Sequence, residues 1–163
     1  MKVGVGLGAN LGDREGALRE AVAWLRSLDP GVKVSGFYES EPMDCPEGSP
    51  RFVNAVAELE FEGDLEDLLG RMQGWERAMG RPEVRERNAP RPLDMDLLYA
   101  EDRVMVTENL ILPHPRLGER VFVLQPLAEI CPDRVIPGLG GRTVVELLQE
   151  LVGKGERLCR RIG

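Results

Sequence analysis

The chain has 163 residues, 42% hydrophobic and 30% charged, which excludes a disordered or fibrous protein and suffices for a single domain, residues 1–163, with a sizeable core. A net charge of -7 and a pI near 4.9 argue against general affinity for nucleic acid or anionic membranes. No apolar stretch approaches a membrane span, MKVGVGLGANLG makes a poor signal peptide, and Cys45, Cys131 and Cys159 lack zinc-type spacing, so a reduced, cytoplasmic protein is expected.

Lys2 to Gly8 reads as a short strand. Asn10 or Asp13 offers a cap for the helix that follows, whose apolar positions are Leu18, Ala21, Val22, Leu25 and Leu28, ended by Pro30-Gly31. Val32 to Glu39 predicts a second strand. SEPMDCPEGSPR then forms a loop too long and irregular for a hairpin turn, the kind that is often functional.

Phe52 to Glu62 alternates plainly, with Val53, Ala55, Ala57, Leu59 and Phe61 on one face and Phe52, Asn54, Val56, Glu58 and Glu60 on the other. Asp64 caps a helix carrying Leu65, Leu68, Leu69, Met72, Trp75 and Met79, stopped at Gly80. A second long loop, RPEVRERNAPRP, leads into the strand LDMDLLYA. The order β-α-β-β-α-β predicts an α+β, ferredoxin-like antiparallel sheet with two helices on one face. Beyond residue 101 come a short hairpin, a Pro-interrupted helix over Glu119 to Ile130 and a helix over Thr143 to Leu151, together a C-terminal extension.

GVGLGA, Gly4 to Ala9, formally matches a dinucleotide-binding pattern. Those glycines fall inside the first strand rather than at a strand-to-helix turn, so the reading is rejected in favour of close packing against a helix or ligand. The pair Asp94 and Asp96 is more informative. Strand alternation puts both carboxylates on one face, where two anions repel and resist desolvation. A merely solvated face would explain D-x-D alone. The neighbours favour a site: Arg81, Arg85, Arg87 and Arg91 precede it, and LPHPRLGERVF brings His114, the only histidine, with Arg116 and Arg120. Carboxylates that share one or two Mg²⁺ ions, flanked by guanidinium forks, suit a polyphosphate. Trp24 and Trp75 fall on apolar helix faces and read as core, and Glu146, Glu150, Lys154 and Glu156 as an ordinary solvated face.

Taken together, GLGANLGD, FYESEPM, FVNAVAELE, RNAPRPLDMDLLY and LPHPRLGERVFVLQPLAEI resemble the 6-hydroxymethyl-7,8-dihydropterin pyrophosphokinase family over nearly the whole chain. The R-x-x-P-R-x-x-D-x-D segment is the most specific part. The resemblance implies a ferredoxin-like fold and transfer of pyrophosphate from ATP to the hydroxymethyl pterin, leaving AMP and the pterin diphosphate, in folate biosynthesis. It implies that Asp94 and Asp96 ligate two Mg²⁺ ions and act with Arg81 and Arg91 in catalysis. It also assigns Gln73, Glu76, Arg81, Arg91, Leu97, His114 and Arg120 to ATP, and Ser40, Pro42, Met43, Phe52, Asn54 and Phe122 to the pterin.

Some positions depart from the family pattern. Asn88 and Ala89 stand where members often carry tryptophan and glycine, Glu83 where some place a second loop arginine, and Pro115 where some have tyrosine. Phosphoryl-type transfer rests on positioning and charge stabilisation. It needs no base beyond a metal-linked carboxylate or water, and the sequence singles none out; Asp96 is one candidate because it could touch both metal and hydroxyl. The rival uses of such a sheet, RNA recognition or a small-molecule regulatory module, fit poorly. The chain is 5% aromatic and acidic, and neither use requires D-x-D with clustered arginines. Small-molecule substrates and a monomer are expected.

Overall fold

The computed structural model describes residues 1–40, 50–80 and 92–163. Strand β1 (Lys2–Ala9) runs into helix α1 (Arg14–Leu28), and it is Asp13 that caps this helix, its carboxylate accepting the Gly16 N–H at 3.0 Å. The chain returns through β2 (Lys33–Val34) and β3 (Tyr38–Ser40), then β4 (Phe52–Glu60). Asp64 accepts the Glu66 and Asp67 N–H groups to start α2 (Leu65–Ala78), which ends where Gly80 takes a φ of 99°. β5 (Asp94–Ala100) follows, then a hairpin of β6 (Met105–Val106) and β7 (Ile111–Leu112), a 3₁₀ turn (Leu117–Glu119), α3 (Val121–Ile130), α4 (Val144–Gly153) and β8 (Arg160–Arg161). None of these helices is long and apolar enough to cross a membrane.

The main sheet has the order β5-β1-β4-β3-β8, with β2 also pairing β4, and every pairing is antiparallel. One face carries Val3, Val5 and Leu7, with Val53, Ala55, Ala57 and Leu59, and packs on Leu18, Ala21 and Leu25 of α1 and Leu65, Leu68 and Met72 of α2. The other carries Val56, Leu98 and Tyr99 and packs on Val123, Leu124 and Leu127 of α3 and Val144 and Leu147 of α4. The two helices of the β-α-β-β-α-β unit share one face as expected, and the helices of the C-terminal extension cover the other. The residues beyond 101 supply the second layer, so β4 is buried continuously from Val53 to Leu59.

A bulge divides β5. Gly4 pairs with Tyr99 but Val5 with Leu97, so Leu98 is an extra residue, and Leu98 and Tyr99 both turn toward α3 and α4. The expected strand Val32 to Glu39 is split. Ser35 still exchanges bonds with Val56, but the Arg161 guanidinium fills the space beside Gly36, and Phe37 turns its N–H and C=O to Gly163 and Ile162. β4 stops at Glu60, two residues short of the expected end. Thr143 and Glu146 form a reciprocal capping box for α4, so Glu146 is a cap and not only a surface charge. Trp24 and Trp75 stack at 5.7 Å between α1 and α2, consistent with their reading as core.

Candidate active site

On the α3 side of the sheet lies a cavity of about 1290 Å³, and the row of alternate glycines in β1 explains why it is there. A Cβ on Gly4 would collide with the Tyr99 ring, and one on Gly6 would touch Leu98 at 3.4 Å. One on Gly8 would press on Asn54 Oδ1 at 3.0 Å. Tyr99 and Leu98 thus fill the row at one end, and toward Gly8 the space opens as the cavity floor. The glycines make room, as expected from their position within a strand.

Asp94 and Asp96 lie opposite Gly8 and Gly6 in the β1–β5 register, and both line the cavity. His114 is fixed beside them, its N–H donating to Leu98 O at 2.8 Å along the outer edge of β5. Burial and the Arg120 and Arg116 charges hold the His114 pKa below its ordinary value, against a smaller opposite pull from Asp94. Its Nδ1 accepts the Arg116 N–H at 3.2 Å, so the neutral ring carries its proton on Nε2 and offers a donor there. Burial and Arg116 also lower the Arg120 pKa, and Asp96 and Asp94 oppose this. Carboxylates and cations here are close enough to feel one another. Among the described residues no group of three or more His, Cys, Asp and Glu converges. Two carboxylates on a polar floor fit a hard cation that completes its shell with phosphate oxygens and water, rather than a closed zinc site.

At the other end, Asn54 Nδ2 donates to Ser40 Oγ at 2.8 Å, joining β4 to β3. Phe52 and Phe122 border the same space from β4 and α3, and the Arg120 guanidinium lies 5.3 Å from the Phe122 ring centroid. The structure therefore brings Ser40, Phe52, Asn54, Asp94, Asp96, His114, Arg120 and Phe122 to one cavity.

Gln73, Glu76 and Leu97 are not among the residues lining it. Gln73 is exposed on α2 and Leu97 is buried in the opposite core; Glu76 is 6% exposed, with Oε2 accepting the Met95 N–H at 2.7 Å. Pro42, Met43, Arg81 and Arg91, with Glu83, Asn88 and Ala89, lie outside the described residues.

Sequence reasoning missed the opposite wall. Glu39 lines the cavity and meets Arg14 at 3.5 Å, Arg51 at 3.4 Å and Arg160 at 4.0 Å. Residues 155–160 line it too, including Glu156, which reads from sequence as part of a solvated face. Their only signal is a late Arg160-Arg161 pair, too short to announce a strand.

A profile of the family described as 7,8-dihydro-6-hydroxymethylpterin-pyrophosphokinase matches residues 4–132. A relative named 2-amino-4-hydroxy-6-hydroxymethyldihydropteridine pyrophosphokinase from Bacillus subtilis (strain 168) is 43% identical over 130 residues, 78% of this chain and 76% of its own length. One of the same name from Methylorubrum extorquens is 41% identical over 155 residues, 93% and 94% of the two chains. One from Pseudomonas aeruginosa is 38% identical over 161 residues, 96% of each. In fold, the chain is similar to the Plasmodium falciparum HPPK-DHPS crystallised with pteroate, at a TM-score of 0.67 and 14% identity. The match covers 94% of this chain and 42% of that one. The chain belongs to the 7,8-dihydro-6-hydroxymethylpterin-pyrophosphokinase family.

Proposed function

We propose that the cavity over β1, β4 and β5 is where this chain carries out the reaction of its family. The chain is an ATP-dependent pyrophosphokinase of folate biosynthesis, a transferase that moves pyrophosphate from ATP to 6-hydroxymethyl-7,8-dihydropterin. The observation that carries the placement is the make-up of one cavity: Asp94, Asp96, His114 and Arg120 toward β5, and Phe52, Phe122 and the Asn54 amide toward β3 and β4, beside the Glu39 ion pairs.

Asp94 and Asp96 would hold Mg²⁺, two ions in this reading, which when bound supplies charge neutralisation to the triphosphate. Arg120 and the Nε2–H of His114 donate to phosphate oxygens, and Arg81 and Arg91 add guanidinium contacts from the second loop. Gln73, Glu76 and Leu97 remain assigned to the nucleotide, through β5 and its α2 support rather than this floor. Asn54, oriented by Ser40, reads the polar edge of the pterin; Phe52 and Phe122 face its rings, with Pro42 and Met43 completing that pocket. Asp96 accepts the proton of the attacking hydroxyl, and the product pair is AMP and the pterin diphosphate.

The same reading takes residues 1–163 as one domain, a ferredoxin-like core with its second face covered by a C-terminal extension. It takes the enzyme as a monomer working in the cytoplasm where ATP is supplied. Incubation with Mg²⁺-ATP and the hydroxymethyl pterin, followed by phosphorus NMR, tests it. AMP should accumulate in step with the pterin diphosphate. Stoichiometric ADP with a pterin monophosphate would overturn the reading.

A further inference from the structure

The residues after α4 do not trail off the surface. Phe37 N–H donates to Gly163 O at 2.6 Å, Ile162 N–H to Phe37 O at 2.8 Å, and Tyr38 and Glu39 pair with Arg161 and Arg160. A second fastening comes from α3. The Gln125 side chain donates to Cys159 O at 3.1 Å and accepts the Cys159 N–H at 2.6 Å, gripping that peptide on both sides. Gln125 lies one helical turn beyond Phe122, so the grip sets residues 157 and 158 beside that ring's end of the cavity. Leu158 lines the cavity and is 56% exposed, a large apolar side chain held at the edge of the site.

The strand order says which end of the site this wall serves. Neighbouring strands lie about 4.8 Å apart, so β8 is roughly 19 Å from Asp94 and Asp96 on β5 but directly beside β3, which carries Ser40. We propose that residues 157–160 form the outer wall of the pterin end of the cavity, with Leu158 contacting the bound heterocycle and Gln125 as the positioning residue that holds the wall in place. The wall tunes selection of the acceptor and leaves the nucleotide untouched. This inference rests on the placement of the pterin at the Ser40, Asn54 and Phe122 end.

Isothermal titration decides it, using wild type, Leu158→Ser, Gln125→Ala and Phe122→Ala. Each is titrated with a non-hydrolysable ATP analogue plus Mg²⁺, and then with the hydroxymethyl pterin in the presence of that analogue. Leu158→Ser should weaken pterin binding about three- to tenfold, the loss expected of a partly exposed apolar contact, with nucleotide affinity within about twofold. Its unfolding temperature should match wild type, because the side chain is exposed in the free enzyme. Gln125→Ala should show the same selective loss. If Phe122→Ala weakens pterin binding and the other two leave it unchanged, the wall is refuted and the pterin placement stands. If all three leave it unchanged, the placement itself fails. Equal losses for both ligands in Leu158→Ser would show a general support of the cavity and also refute the proposal.

Discussion

The ring of Tyr99 lies where a side chain on Gly4 would be: a Cβ built there falls within the ring's own space, and its neighbours leave the ring nowhere to go. Tyr99 is fully buried, its hydroxyl donates to Glu58 Oε2, and the Arg134 guanidinium sits 5.2 Å from its centroid. Gly4→Ala should therefore destabilise the fold by roughly 1–3 kcal/mol, the usual cost of overpacking a core that cannot yield. Urea unfolding measures it. A loss below about 0.5 kcal/mol would mean that the ring moves freely.

Glu58 makes that corner sensitive to acid. Burial pushes its pKa up, but the Tyr99 hydrogen bond and the Arg134 guanidinium, paired with it at 2.8 Å, outweigh this and hold it below the ordinary glutamate value. A carboxylate whose pKa is lowered on folding stabilises the native state above its unfolded pKa and loses that contribution as pH falls through the folded value. Glu58→Gln should cost roughly 1.5–3 kcal/mol at neutral pH, as expected for a lost hydrogen bond to a charged group. The gap between the two proteins should narrow as the pH drops below 4.5. Denaturant titrations at several pH values give the curve, and a gap constant down to pH 2 would contradict it.

Asp96→Ala should abolish turnover and leave the protein folded. The side chain is only half-buried on the cavity floor, and the repulsion from Asp94 that its removal relieves offsets the lost attraction to Arg120, so stability should shift by less than about 1 kcal/mol. Near-normal activity at saturating Mg²⁺ would exclude the metal role.

Phe122→Ala should weaken pterin binding about tenfold or more, from roughly 1–3 kcal/mol of stacking and burial, and spare the Mg²⁺-nucleotide complex. Its ring is only partly buried at the start of α3, so an intact thermal transition is expected. Parallel losses for both ligands would make the phenylalanine a support of the fold.

The alternation of Phe52 to Glu60 and the helical spacing of Leu18, Ala21 and Leu25 made the core sheet and its first helical layer legible, because each depends only on local period. The split between Val34 and Tyr38 was not, since it is caused by Arg161 and Gly163, more than a hundred residues away. The bulge at Leu98 is hidden for a related reason. A run of apolar residues looks the same whether or not one of them is unpaired, and only the register against β1 shows it. In the cavity, the carboxylates of β5 and the cations after β7 stood out chemically. Glu39 and Leu158 carry no such signature, and topology alone brings them there, as it brings Gln125 to the Cys159 peptide.

The pairing of β8 with β3 also bears on how the molecule is made. Among the described residues, the outer edge of β3 and the Phe37 before it find their backbone partners in residues 160–163, which a ribosome adds after every other element described. During synthesis β1, β4 and β5 can pair while that edge is still bare, so the nascent chain passes through a stage with an open strand edge that is prone to pairing with another chain. Arg160 and Arg161, exposed and charged, then close the sheet with a border that repels further strands of its own kind.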